Sequence, residues 1–478
     1  MKKTLLLIAV GSLLSACNSN YVPGPNVRLE PNYKYHKQKP NLRSTMAPET
    51  KWWANFSDPT LNSLVEEALA SNLSIEQARE RIRSARFSAR IVKGNYFPTV
   101  NGALAATAAE QTVWNRNTAP GQKRKVVTDT SSSSATLSAI WNLDFGARPS
   151  AEQQRALVEA QKEVLNETRL DIIAGMAAAY VTAQGLGREI AIAQKSLAVQ
   201  NNTADITKAK LEAGSVSALD STRAIAAAAL TAADIPALQQ EREQAINQIA
   251  ILLGKEPAAV SNVFTKYRPI RFPRVKFSEG IPADLLSNRP DVRVAEWQLK
   301  AAMAGIGVAE ADQYPSLTLS GTVRAQANVG TKVASWGFGP SINIPIFQGG
   351  RIKANINLSK SDARLQYLQY RQTILFAVQD VEDALIAVRS EQTRHSRLSV
   401  AVAELTKAES LARQLNESGT TEFKDVLDAQ SALYSAQLQL AISALQVQIN
   451  YVALCQSLGG GWYGDEPVMK EDTIKLAN

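Results

Sequence analysis

Histidine and cysteine are almost missing from this chain: its 478 residues hold two of each, His36, His395, Cys17 and Cys455. Zinc and transition-metal centres need several such ligands at short spacing, so the sequence builds none. It also lacks a glycine-rich phosphate loop and a nucleophile elbow, so no catalytic site is assembled and no cofactor is called for. The apolar run that opens the chain, TLLLIAVGSLL, is too short to cross a bilayer as a helix. Aromatic residues make up only 6%, and the basic stretches QKRK (122–125) and KYRPIRFPRVKF (266–277) have too few among them to form a base-stacking platform. The formal charge of +8 therefore does not indicate a nucleic-acid partner.

What is present begins with an export signal: Lys2 and Lys3, the apolar run, then the small residues of LSAC. Cys17 directly follows Leu14, Ser15 and Ala16, and this resembles the bacterial lipobox. The resemblance implies cleavage before Cys17 and its acylation, for instance by palmitate, with Asn18 rather than Asp behind it pointing to the outer membrane. An ordinary signal peptide with an incidental cysteine is the alternative. Acyl chains hold a protein at a leaflet, at about 0.8 kcal/mol per buried CH₂, but make no channel. Once Lys2 and Lys3 leave, the charge falls to +6. Cys455 is expected to be a small buried apolar residue.

Two copies of one unit follow. LEAGSVSALD (211–220) aligns with NESGTTEFKD (416–425), pairing Gly214 with Gly419 and Asp220 with Asp425 at an offset of 205; the same offset pairs Gly254 with Gly459. YFPTV (96–100) matches YPSLT (314–318), and FGAR (145–148) matches QGGR (348–351). The first copy is about 14 residues longer between these marks, which assigns a loop to 117–134.

SLTLSGTVRAQANV (316–329) alternates apolar and polar residues without a slip, the period of a strand. TVNGALAATA (99–108), ATLSAIWNLDF (135–145) and SWGFGPSINIPIF (335–347) alternate as well, and Trp141 and Trp336 fall on the apolar faces. Soluble strands average five to six residues, whereas strands that cross a bilayer need about ten. A soluble sandwich edge is the competing reading. Four strands do not close a barrel, and open edges in hydrocarbon leave backbone groups unsatisfied, so the chain must assemble. Two copies fill their bore with side chains, while three, with twelve strands, leave room for water.

Between Arg148 and Gly214 lie 66 residues, roughly 100 Å of helix. A returning helix to Gly254 and another over about 60–94 together match that length, so the long helix is flanked by two shorter ones stacked end to end. Pro236 is expected to kink or interrupt the returning helix.

With those residues placed, the chain resembles the TolC-like outer-membrane efflux channels, in the lipoprotein branch that serves resistance-nodulation-division (RND) pumps. The stretches that carry this are KWWANFSDPTLNSLVEEAL, NRPDVRVAEWQLKAAMAGIGVAEADQYPSLTLSG, IPIFQGGR and SGTTEFKDVLDAQSALY. The resemblance implies a mainly α fold with a β-barrel: a long periplasmic α-helical barrel plus four transmembrane strands per chain, twelve in a homotrimer. It also implies passive conduction of small molecules, with a periplasmic adaptor and an inner-membrane RND-type pump as partners and outer-membrane lipid around the barrel. The segments expected are a signal peptide (1–16), a lipid-anchored extension (17–59), a first repeat (60–256), an equatorial linker (257–283), a second repeat (284–459) and a polar tail (460–478).

Asp425 and Asp428 stand three apart on one helical face after the Gly419 turn. Carboxylates there suit the helix dipole whatever else they do. The resemblance implies that they form acidic rings at a periplasmic gate, favouring cations. Lys424 and Ser431 depart from the residues usual in that branch. Lys424 is placed to pair with Asp428 along its own helix; a pair of Arg223 with Asp425 or Asp428 is the alternative latch. Gly214 and Gly419 serve tight turns by allowing positive φ, and the resemblance adds that Gly214, Ser215, Gly419 and Thr420 meet the adaptor. Arg324, on the polar side of its strand, is expected to face the lumen. A coiled-coil structural lipoprotein without conduit activity is the rival reading, and it leaves the strands without purpose.

Overall fold

The structure, a computed structural model, describes residues 51–114, 125–143, 145–260, 264, 267–270, 272, 289–328 and 330–460. Cys17, the signal segment, most of the 257–283 linker and the tail beyond 460 lie outside the described residues. A short 3-10 turn at Trp52–Phe56 leads into helices α1 (Pro59–Ser71) and α2 (Leu73–Gly94), then strands β1 (Thr99–Trp114) and β2 (Lys125–Leu143). Helix α3 (Ala147–Glu212) and α4 (Ala218–Leu252) form the first hairpin. The pattern repeats as α5 (Pro290–Ala311), β3 (Ser316–Asn328), β4 (Thr331–Asn343), α6 (Arg351–Glu417) and α7 (Phe423–Ser457). The repeat is close: α2 and α5 have 22 residues each, α3 and α6 have 66 and 67, and α4 and α7 have 35 each.

Two compact units divide the chain, and the first gathers Ile82–Gln161 and Ala295–Tyr370. It holds one antiparallel sheet in the order β1-β2-β3-β4. The register stacks apolar rows on one face: Val100, Ala139, Gly321 and Phe338, then Gly102, Leu137, Val323 and Trp336. Apolar partners continue on β3 from Leu317 to Ala325. That is about 27 Å of strand at about 3.4 Å per residue, close to the band of about 25 Å that a tilted membrane strand presents. The face is bare in the single chain: Leu104 is 88% exposed, Trp336 82% and Phe338 74%. Trp141 and Trp336 share it, in rows four residues apart, opposite Leu319 and Val323. Serine, threonine and asparagine line the other face, for example in the row Thr136, Arg324 and Ser335.

The strands of the first repeat exceed the expected ones. Residues 125–134, assigned to a loop by sequence, belong to β2 and pair with β1 from Trp114 back to Ala105. The Ser131–Ser134 run has no apolar alternation to announce a strand, yet its backbone groups pair across to β1. In the second repeat β4 runs from Thr331 to Asn343 rather than through 335–347. Asn343 pairs with Ser316, the first residue of β3, so residues beyond it have no partner, and Pro345 has no N–H to offer.

The second unit gathers the described residues of Arg28–Arg81, Lys162–Val294 and Arg371–Asn478. Its core mixes small and large apolar side chains, among them Ile173, Met176, Tyr180, Ile249 and Leu454. The WWANF segment seats three buried aromatics: Trp52 and Phe56 stand edge-on to Tyr451 at 6.1 and 5.5 Å, and the Trp52 indole N–H donates to the Gly460 carbonyl at 3.2 Å. Asp58 caps α1 by accepting from the Thr60 amide at 2.8 Å and also accepts from the Tyr180 hydroxyl at 2.7 Å. Burial and that carboxylate push the Tyr180 hydroxyl well above its usual range. Helix α7 is apolar enough to cross a membrane by composition, but half of its most apolar stretch is buried within the fold, as in a core helix. Helix α4 continues through Pro236 without interruption. Cys455 is half-buried rather than fully buried.

The expected helix over 60–94 is split at Asn72, which takes extended backbone angles between α1 and α2.

Candidate functional site

The two hairpins close with the same geometry. Gly214 and Gly419 have φ of +71° and +73°, which glycine adopts at low cost. The Gly214 and Ser215 amides donate to the carbonyls of Leu211 and Lys210 at 2.9 and 2.8 Å. The Gly419 and Thr420 amides donate to Asn416 and Leu415 at 3.0 and 2.8 Å. Both are Schellman closures, which satisfy the last carbonyls of α3 and α6 and let the chain reverse. All four turn residues are exposed, and a Cβ on either glycine would meet nothing within 4 Å.

Immediately after the second turn, α7 presents Lys424, Asp425 and Asp428, all exposed. The Lys424 ammonium and the Asp428 carboxylate form an ion pair one helical turn apart. Hydrogen bonding to Asp428 raises the Lys424 pKa, aided by the charges of Asp428 and Asp425 and opposed by the like charge of Arg223. Arg223 is exposed on α4 and, among the described residues, makes no ion pair with Asp425 or Asp428. Of the two pairings open from sequence, the single chain holds the one along α7. A pair this open to water contributes little to stability. Its effect is to leave one net negative charge at this face of α7.

Three polar features escaped the sequence reading. Asn72 joins α4 to α2: its Nδ2 donates to the Leu252 carbonyl at 2.7 Å and its Oδ1 caps α2. Arg289 makes the matching joint between α7 and α5: its guanidinium donates to the Ser457 carbonyl at 2.9 Å and to Asp291 at 3.0 and 2.8 Å. Pro290 and Asp291 in RPD are a legible helix start, but nothing in the sequence says which carbonyl Arg289 reaches. The third feature lies along α3, α4 and α7, where the Tyr434 hydroxyl donates to Asp234 at 3.1 Å. Burial, then the Asp234 contact, pushes Tyr434 up to about 12. Glu189, 5% exposed, is raised to about 7 by burial and by the negative charge of Glu241.

Arg324 lies on the polar face of the sheet between Thr136 and Ser335 and is exposed. No group of histidine, cysteine and carboxylate residues suited to a metal occurs among the described residues.

Glycine-closed helix hairpins beside a small antiparallel sheet with one apolar and one polar face define a mainly helical class of protein with a two-faced β part. The chain belongs to the outer membrane efflux protein family, whose model matches residues 64–255 and 281–460. Nodulation protein T of Rhizobium leguminosarum bv. viciae is 34% identical over 435 residues, covering 89% of this chain and 88% of that protein. The pyoverdine export outer membrane protein OpmQ of Pseudomonas aeruginosa is 29% identical, covering 97% of this chain and 98% of its own. Among solved structures, the outer-membrane channel OprN superposes with a TM-score of 0.80 at 31% identity, covering 92% of this chain and 99% of that one. The outer membrane protein VceC of Vibrio cholerae gives 0.73 at 25%, covering 87% and 100%. This chain is accordingly an outer-membrane efflux channel, a transport protein with a helical periplasmic part.

Proposed function

We propose that three copies of this chain close a twelve-stranded barrel and a helical tunnel that passively conduct small molecules out of the periplasm. The observation that carries this is the open sheet: β1 and β4 each leave one edge unpaired, beside a face of exposed apolar residues. In hydrocarbon such edges are costly, and pairing β4 of one copy with β1 of the next removes them all. Ala408 and Leu415 on α6 are likewise exposed in the single chain, as a seam awaiting another copy would be.

An inner-membrane RND-type pump and a periplasmic adaptor deliver the cargo, and the adaptor docks on the turns at Gly214, Ser215, Gly419 and Thr420. Asp425 and Asp428 form the gate, with Lys424 as a counter-charge and Arg223 within electrostatic reach. Acylated Cys17 anchors each chain in the outer-membrane leaflet. The cargo is set upstream: relatives named for pyoverdine export and for toluene efflux stand at the same 29% identity to this chain, although those solutes share no chemistry.

The test is to extract the protein in detergent, measure the oligomer's mass and record it in planar bilayers. A mass of three chains with discrete conductance steps supports the conduit. A single-chain mass or a silent bilayer favours a structural lipoprotein.

A further inference from the structure

Arg324 holds the only charge on the polar face of the sheet among the described residues. The register gives that face alternate residues of every strand, rich in serine and threonine and free of aspartate and glutamate. The sheet's carboxylates, Glu110 and Asp129, pair with each other on the opposite face, as does Lys332 with Ala327. Arg324 is thus a cation without a counter-charge on its own face, flanked by the Thr136 and Ser335 hydroxyls.

We propose that Arg324 sets an anion preference inside the barrel, as a ring of three guanidinium groups past which solutes with an anionic group move most easily. The inference rests on the trimeric conduit proposed above. Twelve strands about 4.8 Å apart and tilted about 40° give a backbone radius of about 12 Å. An inward arginine then stands nearer the axis than the Debye length of about 10 Å at 0.1 M salt, so its field reaches passing solutes. Arginine stays charged at any working pH and offers five donors in a planar fork matched to carboxylate and phosphate. The Asp425 and Asp428 rings act with the opposite sign, so the pore as a whole is bipolar. The two effects separate only when the acidic rings or the arginine ring are removed.

The experiment is a reversal-potential measurement in planar bilayers under a tenfold KCl gradient, in channels carrying Asp425→Asn and Asp428→Asn. With Arg324 present, chloride is expected to permeate better than potassium. Arg324→Ser should lower the chloride-to-potassium ratio at least twofold, Arg324→Glu should invert it, and Arg324→Lys should preserve it. A second variant, Arg324→Cys in a Cys455→Ser chain, should regain anion preference when treated with a cationic, water-soluble thiol reagent. Conductance steps with an unchanged ratio in Arg324→Ser and Arg324→Glu overturn this inference alone. Absence of steps from every channel, the unaltered chain included, overturns the conduit reading and this inference with it.

Discussion

Asn72 and Leu252 are joined by a 2.7 Å hydrogen bond from the Asn72 amide to the last carbonyl of α4, while the Asn72 oxygen accepts from the amides of Ser74 and Ile75 at 2.8 and 3.3 Å. One side chain thus ends one helix and starts another. Asn72→Ala removes a cap and a buried hydrogen bond, each contributing about 1 kcal/mol. A loss of about 2 kcal/mol is expected, read as a lower unfolding midpoint by circular dichroism in detergent. Asn72→Ser keeps the cap without reaching Leu252 and should lose about half as much. An unchanged midpoint for Asn72→Ala would show that the joint carries no stability.

Gly254 and Gly419 allow the two contributions to a glycine turn to be separated. Both have positive φ, +67° and +73°, so an alanine at either position is strained by about 1–2 kcal/mol. At Gly419 the space is open, whereas a Cβ at Gly254 would come within 2.7 Å of the Ser71 carbonyl oxygen. Gly254→Ala is therefore expected to lower the unfolding midpoint more than Gly419→Ala. Equal losses would mean that the backbone beside Ser71 yields freely.

Glu189 makes stability depend on pH. Burial and Glu241 raise its carboxyl from 4.5 to about 7, so the fold favours the neutral acid. Its contribution is complete below pH 4.5, declines as pH rises towards 7, and is gone above that. At 1.36 kcal/mol per pH unit over about 2.5 units, the loss is on the order of 3 kcal/mol. Glu189→Gln should match the unaltered protein in melting experiments near pH 4.5 and exceed it at pH 8. A constant difference at both pH values would exclude Glu189 as the cause.

Much of the fold was legible in the sequence because it rests on period and repetition. The 205-residue offset located Gly214, Gly419, Gly254 and Gly459, and all four have positive φ. Strict alternation located β3 to within a residue. It failed in β2, where Ser131–Ser134 carries no apolar signal and pairing alone makes the strand. It overran β4, where the end is set by the partner strand. The break at Asn72 and the reach of Arg289 were not legible, since each depends on a carbonyl about 170 residues or more away. At the proposed gate, sequence left two partners for Asp428. The choice of Lys424 follows from a four-residue spacing that any helix provides, whereas Arg223 needs a tertiary approach that the single chain does not make.

Single-channel conductance tests most directly whether this chain forms a passive pore constricted at Asp425 and Asp428. The purified protein and its Asp425→Ala, Asp428→Ala double variant would be recorded in planar bilayers under identical salt. Discrete steps are expected from the unaltered channel and larger steps from the double variant, with selectivity shifted from cations towards anions. Steps of the same size and selectivity from both proteins would contradict the gate, and no steps from either would contradict the pore.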